Sequence, residues 1–556
     1  MLAPLAVRRF LKTYGFGVGL ALLYLYSFPY FQKIHHANEL PRVYLTMSMV
    51  DEHTFAIDSG VARWGSTADV SPSGGHHYSN KAPGASMLAA PAYAVDRGLR
   101  SLFGLSRPSL AETTWLCRVV TGVIPTLLFL LLFYRFLVRF APRPETRRLV
   151  IAAYALGTMA MPYSILFHSH QLSAVAIATA FILCVRVFED GADERWMWAA
   201  GLAAGAAPLV DYQAAFAGVP IAIYVIVRAL KRSRGWRPIA YAAAGSVPPI
   251  ALLLYYHAAC YGSPFRTGYS ASETFAVYHQ KGFLGMDAFR LKALSGSTIA
   301  ADHGLLFFCP LLLTAVVGWV LLARRRTIWA LVVTLSIAII YVAFQSSINF
   351  WRAGWSLGPR YITVMLPFVF VPVAVALDAW DGEARRWPLR GLWIGLALVG
   401  IVVYSISCAL YPHFPERFTN PLYEVTFRLL IQGRAPYNLG WVVGLRGLAS
   451  LLPYLALLGA VVGYAAAPSR RQAASALLGA GLAAGILALY ALAPRSQDPD
   501  AGRAYTCYVA GVMPDRPGVG REGGSCGPGR SCDDGLSCLT CDPQQRLCIR
   551  PRGSGL

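Results

Sequence analysis

The sequence predicts an all-α polytopic membrane protein with about thirteen transmembrane helices and a small Cys-rich C-terminal tail. Of its 556 residues, 56% are hydrophobic and only 14% are charged. That composition is too apolar for a soluble protein. Apolar runs long enough to cross a bilayer recur along the chain. Six of the eleven cysteines lie together in a Gly/Pro-rich segment near the C-terminus.

The apolar runs define the predicted spans. The first follows the basic stretch RRFLK and has no convincing small-residue cleavage site, so we expect a retained helix with a cytoplasmic N-terminus. The spans lie near 13–33, 113–138, 148–166, 171–188, 197–212, 214–230, 238–260, 303–323, 328–345, 361–379, 391–411, 446–466 and 473–493.

Basic residues orient these helices. Every second turn carries Lys and Arg (RFAPRPETRR, KRSRGWR, ARRRT, DGEARRWPLR, PSRRQ), with EDGADERW the exception. Such turns face the cytoplasm, which puts the C-terminus outside. The net charge of +21 is thus assigned to helix orientation and anionic lipid. No nucleic-acid motif is present, and we expect no nucleic-acid partner. The long predicted outer loops are 34–112, 261–302, 346–360 and 412–445, so function should face outward.

The chain divides into a transmembrane domain, residues 1–495, and an exported tail, residues 496–556. An even cysteine count in a short segment without its own core predicts a disulfide framework. Zinc is the alternative, because Cys538 and Cys541 have C-x-x-C spacing. The six tail cysteines are Cys507, Cys526, Cys532, Cys538, Cys541 and Cys548.

The first outer loop begins with NELPRVYLTMSMVDEHTF, which predicts an amphipathic helix on the membrane surface. Leu40, Val43 and Met47 share one arc, whereas Glu39 and Arg42 lie on the opposite one. A carboxylate at the exit of a membrane helix is partly desolvated, as a tuned general base requires. Glu39 is therefore a candidate base, and an ion pair with Arg42 is the structural alternative.

Four motifs in order resemble the GT-C superfamily of integral-membrane glycosyltransferases, which includes aminoarabinose transferases and protein O-mannosyltransferases. They are NELPR with NKAPG some forty residues later, LFHSHQLSAVAIATAF, DHGLLFFCPLLL, and FWRAGWSLGPRYITVMLP. The likeness covers roughly residues 13 to 370, without the tail. Asn38 and Asn80 depart from the pattern, since relatives carry carboxylates at these positions.

The resemblance implies transfer of a hexosyl or pentosyl unit from a polyprenyl-phosphate carrier. A hydroxyl acceptor on a lipid, glycan or protein attacks the anomeric carbon and inverts it. The implied location is a bacterial inner (plasma) membrane, with the active face and the C-terminus on the periplasmic side. Membrane lipid is the other expected partner. Cationic side chains or a divalent metal must stabilise the leaving phosphate, and the sequence identifies no metal ligand set.

The candidate residues fall into two groups. Glu39, Asp69 and Asp51 are the candidate catalytic acids, in that order. The candidates for binding the donor phosphate are Lys81, Arg360, Arg42, Arg352, His77 and Tyr78. Lys81 could instead be a snorkelling helix-end lysine, and His76 with His77 could hold a metal. His168, His170 and Asp211 are expected at outer helix ends, as capping or cavity-facing groups.

Two functions from other classes are alternatives to glycosyl transfer. A transporter or flippase of lipid-linked sugars would share the phosphate-binding cations but would need no base. A non-catalytic membrane scaffold would use the exported tail to bind a partner.

Overall fold

The structure is a computed structural model of the 556-residue chain. It describes residues 2–26, 37–231, 235–272, 274–279, 281–282, 285–381, 386–467, 469–514, 519, 521, 524–534, 536–542 and 545–549.

The described residues are mostly helical. Helices of the first half are α1 Leu2–Tyr26, α2 Leu40–Asp51, α3 Asp58–Trp64, α4 Gly84–Leu102, α5 Leu110–Arg118, α6 Ile124–Phe136, α7 Pro144–Leu156, α8 Pro162–Ile165, α9 His170–Glu189, α10 Trp196–Val210, α11 Ala215–Lys231 and α12 Arg237–Tyr261. Those of the second half are α13 Ala276–His279, α14 Leu291–Thr298, α15 Leu305–Phe308, α16 Thr314–Arg324, α17 Ile328–Ser347, α18 Leu366–Asp381, α19 Trp387–Ile401, α20 Ser407–Leu410, α21 Arg428–Ile431, α22 Leu439–Val442, α23 Leu452–Ala466, α24 Arg470–Tyr490 and α25 Ala501–Ala504.

Two antiparallel hairpins complete the fold. The first pairs β1 Val70–Ser73 with β2 His76–Ser79, and the second pairs β3 Ser537–Asp542 with β4 Gln545–Ile549.

Nine helical runs among the described residues are long and apolar enough to cross a membrane. They are Leu110–Arg139, His170–Glu189, Tyr212–Lys231, Arg237–Tyr261, Ile328–Ser347, Arg360–Asp381, Trp387–Leu410, Gly447–Ala466 and Gln472–Tyr490. Three shorter apolar helices, Tyr14–Tyr26, Trp196–Val210 and Pro310–Arg324, match further predicted spans. The polytopic all-α prediction is confirmed. The end of the first predicted span, 27–33, and the start of the first loop, 34–36, lie outside the described residues.

The predicted span 148–166 is not one helix. α7 ends at Leu156, and α8 begins at Pro162 after a turn. Gly157 caps α7 and closes on the backbone of α19, where an added Cβ would lie 3.1 Å from the Ile401 nitrogen. The interruption therefore has a packing reason.

Small residues bring the helices together. An added Cβ at Gly201 would lie 1.9 Å from the Ala242 carbonyl oxygen, and one at Gly245 would lie 2.0 Å from that of Trp198. α10 and α12 thus touch through their backbones. An added Cβ at Gly318 of α16 would likewise lie 1.9 Å from the carbonyl oxygen of Pro372 in α18. Close backbone contact over small residues is the usual means by which membrane helices gain packing energy.

At one end of the bundle, ion pairs join the termini of neighbouring helices. Arg143 Nη1 lies 3.3 Å from Asp378 Oδ1, and Arg228 Nη2 lies 2.7 Å from Glu189 Oε1. α7 begins at this end, whereas α9, α11 and α18 finish there. The starts of α9 and α18 and the end of α17 therefore lie at the opposite end, together with α2 and the first hairpin.

α2 is the helix that the sequence predicts, but its polar face is not solvated. Residues on both of its faces, including Val43, Arg42 and Thr46, are buried. Thr46 Oγ1 donates to the Arg42 carbonyl at 2.9 Å, and Ser86 Oγ of α4 donates to the same oxygen at 3.0 Å. The polar arc that we expected to face water thus faces α4 and the interior of the protein.

The tail forms disulfides, as predicted. The pairs are Cys507–Cys541, Cys526–Cys538 and Cys532–Cys548. The segment before the tail hairpin is buried in the main core, with Tyr505, Val509 and Met513 among its members. The predicted domain boundary after residue 495 stays a prediction, but packing with the body continues to Met513.

Candidate functional site

The first hairpin brings Asp69 and Lys81 together. Asp69 precedes β1 and Lys81 follows β2, so both stand at the open base of the hairpin. Lys81 Nζ donates to Asp69 Oδ1 at 2.8 Å, and Asn80 Nδ2 lies 3.4 Å from the same oxygen. The Lys81 ammonium also lies 5.2 Å from the centroid of the Tyr269 ring. The lysine is thus held between a carboxylate and an aromatic face.

Burial governs the charges of this pair. It lowers the pKa of Lys81 to about 8, although the Asp69 carboxylate opposes the shift. Burial would raise the pKa of Asp69, but the Lys81 charge and hydrogen bond outweigh it and hold that pKa below its usual range. Asp69 is therefore an anion that orients Lys81.

Gly84 sets the depth at which this segment sits. It starts α4, and an added Cβ there would lie 2.7 Å from the Leu209 carbonyl oxygen at the end of α10. The backbone contact seats the Lys81–Pro83 stretch against the bundle. This accounts for the glycine that closes the NKAPG motif.

Arg42 lies in the same buried region. Its guanidinium donates to Asn38 Oδ1 at 3.2 Å, to the Ala82 carbonyl at 3.3 Å and to Ser169 Oγ at 3.0 Å. Burial lowers its pKa from the usual value, with the charge of Asp211 opposing. The residue thus ties α2, the Lys81 loop and the start of α9 into one polar cluster.

Arg360 enters from the second half of the chain. Gly358 has a φ of +85°, the left-handed region that favours glycine, and it turns the chain before Pro359. Arg360 is buried, and among the described residues its Nε and Nη1 have no hydrogen-bond partner. Buried unpaired guanidinium donors are costly unless a ligand satisfies them. This residue is therefore the strongest single indication of an anion site.

His170 and Asp211 form a second polar pair. His170 Nδ1 lies 2.7 Å from Asp211 Oδ2. The same oxygen accepts from Gln213 Nε2 at 3.1 Å and from Ser169 Oγ at 3.3 Å. Because Ser169 also accepts from Arg42, the pair belongs to the same network as the cations.

These groups line two adjoining cavities. The Asp69 cavity, of about 410 Å³, is lined by Ala37, Asn38, Asp69, Lys81, Phe275, Tyr278, Phe350, Ala353, Gly354, Trp355, Arg360, Tyr361 and Glu416. The Asp211 cavity, of about 250 Å³, is lined by Asn38, Arg42, Lys81, Ser169, His170, Asp211, Tyr212, Gln213, Phe216, Thr267, Tyr269, Met286, Phe344, Ile348, Arg360 and Tyr361. Lys81 and Arg360 stand on the shared wall, so one ligand could contact them from either side.

No family model and no curated protein matches this chain. Among solved structures, the chain is similar to ArnT from Cupriavidus metallidurans bound to undecaprenyl phosphate. The identity is 15% and the TM-score 0.46, over 92% of this chain and 82% of the other. The apo structure of the same protein gives 16% identity and a TM-score of 0.44, over 93% and 82%.

Of the predicted acids, Asp69 lines one of these two cavities, whereas Glu39 and Asp51 line neither. Glu39 is fully buried, and its carboxylate accepts from Arg118 at 2.7 and 2.6 Å and from the Phe167 backbone N–H at 2.6 Å. Asp51 accepts from Tyr93 Oη at 3.0 Å, and Arg97 lies 2.7 Å away. The pairing of Glu39 with Arg42, considered from the sequence, is replaced by the pairing with Arg118.

Of the predicted phosphate-binding residues, Lys81, Arg360 and Arg42 line the Asp211 cavity. His77 instead lies 2.7 Å from Asp58 Oδ1, with His76 2.8 Å from the other oxygen of that carboxylate. Tyr78 packs edge-on against Tyr261, with ring centroids 5.8 Å apart. Arg352 pairs with Asp302. The histidine cluster thus stabilises the hairpin that carries Lys81.

Several lining residues carry no sequence signal. Tyr269 reaches the site because Ser71 Oγ of β1 donates to the Gly268 carbonyl at 2.9 Å. Gln213 reaches it through the short 3-10 turn between α10 and α11. Within the part of the chain that the structure describes, the only group of three metal-ligand side chains is Cys526, Cys532 and Cys548, and each of these is in a disulfide.

Proposed function

We propose that the protein is an inverting glycosyltransferase. It moves a sugar from a polyprenyl-phosphate carrier to a hydroxyl acceptor, at the extracytoplasmic face of the membrane. The observation that carries this proposal is the wall of the Asp211 cavity, where three buried cations, Lys81, Arg42 and Arg360, stand together.

The composition of that wall supports a lipid phosphate as the ligand. Besides the cations, the cavity is lined by apolar side chains on or beside membrane helices: Phe216, Met286, Phe344 and Ile348. A phosphate neutralises the cations, and a hydrocarbon chain suits the apolar side. Asp69 pairs with Lys81, but two buried donors of Arg360 have no hydrogen-bond partner among the described residues. Such donors are unfavourable without a ligand, so the cluster is better explained by binding than by stability.

The cations also have a role in the reaction. When the acceptor oxygen attacks the anomeric carbon, the bond to the phosphate oxygen breaks and negative charge grows on the phosphate. Lys81 and the unpaired donors of Arg360 stabilise that charge. The planar guanidinium can contact two phosphate oxygens in parallel. Asp69 keeps Lys81 charged and oriented, and Arg42 holds the loop in place.

The proposed face follows from the positive-inside rule. The ion pairs of Arg143 and Arg228, which stand in or beside two of the basic turns, lie at the end of the bundle opposite the cavities. Basic turns stay in the cytoplasm, so the site faces the other side. In a bacterial inner membrane this is the periplasm, where disulfides such as those of the tail persist.

The test is sugar transfer in proteoliposomes. Purified protein is mixed with alcohol acceptors and with a panel of radiolabelled hexoses and pentoses linked to undecaprenyl phosphate. We expect wild-type protein to release the lipid phosphate and Lys81→Met to release almost none. Lys292→Met, which removes an exposed lysine on α14, should behave as wild type. Movement of the intact sugar-lipid between leaflets without cleavage would instead identify a flippase.

A further inference from the structure

The His170–Asp211 pair has the geometry of a catalytic dyad. The imidazole Nδ1 lies 2.7 Å from the carboxylate, which fixes the ring and its tautomer. The side chain of His170 is only 6% exposed, and it lines the Asp211 cavity. Among the described residues, its Nε2 has no hydrogen-bond partner.

The tautomer follows from these contacts. Gln213 Nε2 lies 3.1 Å from both Nδ1 and Asp211 Oδ2, and we assign its hydrogen to the carboxylate, because the shorter contact of Nδ1 is with that carboxylate. A carboxylate can only accept, so Nδ1 carries the hydrogen, and Nε2 of the neutral ring is left with a lone pair. A buried acceptor without a partner requires an explanation. A ligand hydroxyl that donates to Nε2 would satisfy it.

The charged and titratable side chains around this ring come from several elements. They are Asp211, Arg42, Arg360, His168, Tyr163 and Tyr361. Burial and, to a smaller extent, the two arginines disfavour an extra positive charge on the ring, whereas the Asp211 carboxylate stabilises it. The ring is therefore poised to be neutral at rest and to tolerate a transient proton.

We propose that His170 is the general base of the transferase and that Asp211 is its positioning residue. This inference rests on the proposed function. The acceptor hydroxyl gives its proton to His170 Nε2 while its oxygen forms the new bond to the anomeric carbon. The bond between that carbon and the phosphate oxygen breaks, and its electron pair stays on the lipid phosphate. Asp211 stabilises the imidazolium, which then releases the proton to solvent.

The carboxylates proposed from the sequence are less suited to this role. Asp69 already accepts the hydrogen bond of Lys81, and its pKa is held low by that charge. Glu39 is closed off by Arg118 on both oxygens. His170 lines the Asp211 cavity and combines an acceptor atom that has no partner among the described residues with a carboxylate behind the ring.

The test compares three variants in proteoliposomes. His170→Gln keeps an amide near Asp211 but cannot take a proton. Asp211→Asn weakens the support of the ring. His257→Gln is the matched control, because His257 is buried but both ring nitrogens are engaged, at 2.9 Å by Tyr212 Oη and 3.1 Å by the Pro264 carbonyl. Donor cleavage is measured with and without alcohol acceptors, and binding with undecaprenyl phosphate alone.

We expect His170→Gln to lower kcat/KM by about 10²–10⁴-fold while the lipid phosphate binds as in wild type. Asp211→Asn should lower it by about 10- to 100-fold. The control should stay close to wild type. The acid limb of the kcat/KM profile should vanish in His170→Gln. It should move to lower pH in Asp211→Asn, because the imidazolium loses its carboxylate.

Two results would overturn the assignment while leaving the proposed function intact. They are a His170→Gln protein that cleaves donor near the wild-type rate, and one that is slow but keeps the acid limb. Wild-type protein that cleaves no donor of the panel would overturn both proposals.

Discussion

Glu39 and Arg118 form a two-point ion pair in the protein interior, with Arg118 Nε 2.7 Å from Oε1 and Nη2 2.6 Å from Oε2. The pair joins the start of α2 to the end of α5. It places the carboxylate that follows the first membrane helix in a supporting position behind the cavity walls.

Glu39→Gln should destabilise the protein, because it leaves the Arg118 charge buried without its partner. Loss of one member of a buried pair costs about 3–5 kcal/mol. We expect a lower thermal midpoint and a smaller folded fraction by size-exclusion chromatography. Transfer per folded molecule should be largely kept. The double variant Glu39→Met/Arg118→Met, which removes both charges, should recover part of the loss. An unchanged midpoint with lost transfer would return Glu39 to a chemical role.

Binding of undecaprenyl phosphate should weaken as the pH rises through about 8, because burial lowers the pKa of Lys81 to about 8 and the ammonium is lost above it. Lys81→Met should bind undecaprenyl phosphate weakly throughout the titration, and its affinity should not change near pH 8. Asp69→Asn removes the anion that favours the ammonium, so its binding should decline at lower pH than in wild type. Titration by intrinsic fluorescence from about pH 6 to about pH 10, roughly two units on either side of the wild-type midpoint, checks all three. A pH-independent wild-type affinity would exclude Lys81 as a ligand of the phosphate.

Arg360→Lys should weaken lipid-phosphate binding by about 10- to 100-fold, because a lysine cannot supply two parallel donors. The substitution keeps the positive charge, so the loss of affinity measures the contribution of the planar arrangement of the donors. Arg266→Lys is the matched control, since Arg266 is exposed in the 261–302 loop on the same side of the bundle. Dissociation constants for undecaprenyl phosphate are measured in detergent. Equal effects of the two substitutions would show that the unpaired donors of Arg360 do not bind phosphate.

A chain ending after residue 495 should be less stable than one ending after residue 513, because the longer chain keeps Tyr505, Val509 and Met513 in the core. The longer variant should carry Cys507→Ser, since its partner Cys541 is removed. Thermal midpoints of the two truncations are compared, followed by donor cleavage. If both melt alike, the 501–513 segment contributes no stability, and the boundary predicted after residue 495 describes the folding unit well.

The helical body could be predicted because a membrane-spanning helix can be identified from its local sequence, by its length and apolar composition. The hairpin base could be predicted in part, since Asp69 and Lys81 are near neighbours in the chain. The partner of Glu39 could not, because Arg118 lies 79 positions away and nothing in either local sequence specifies the other. The partners of the polar arc of α2 are also distant in the chain. The sequence therefore predicts that this arc faces water, whereas in the structure it faces Ser86 and Ser169.

Arg42 and Lys81 precede most of the membrane helices, whereas Arg360 follows nearly all of those that surround the cavities. A nascent chain released before residue 360 would carry the first two cations but not the third. Such a fragment would lack one of the three cations proposed to bind the phosphate. Incomplete products of translation should therefore compete poorly with the full chain for the carrier lipid. If the proposed function holds, capture of the carrier requires a polypeptide that extends beyond residue 360.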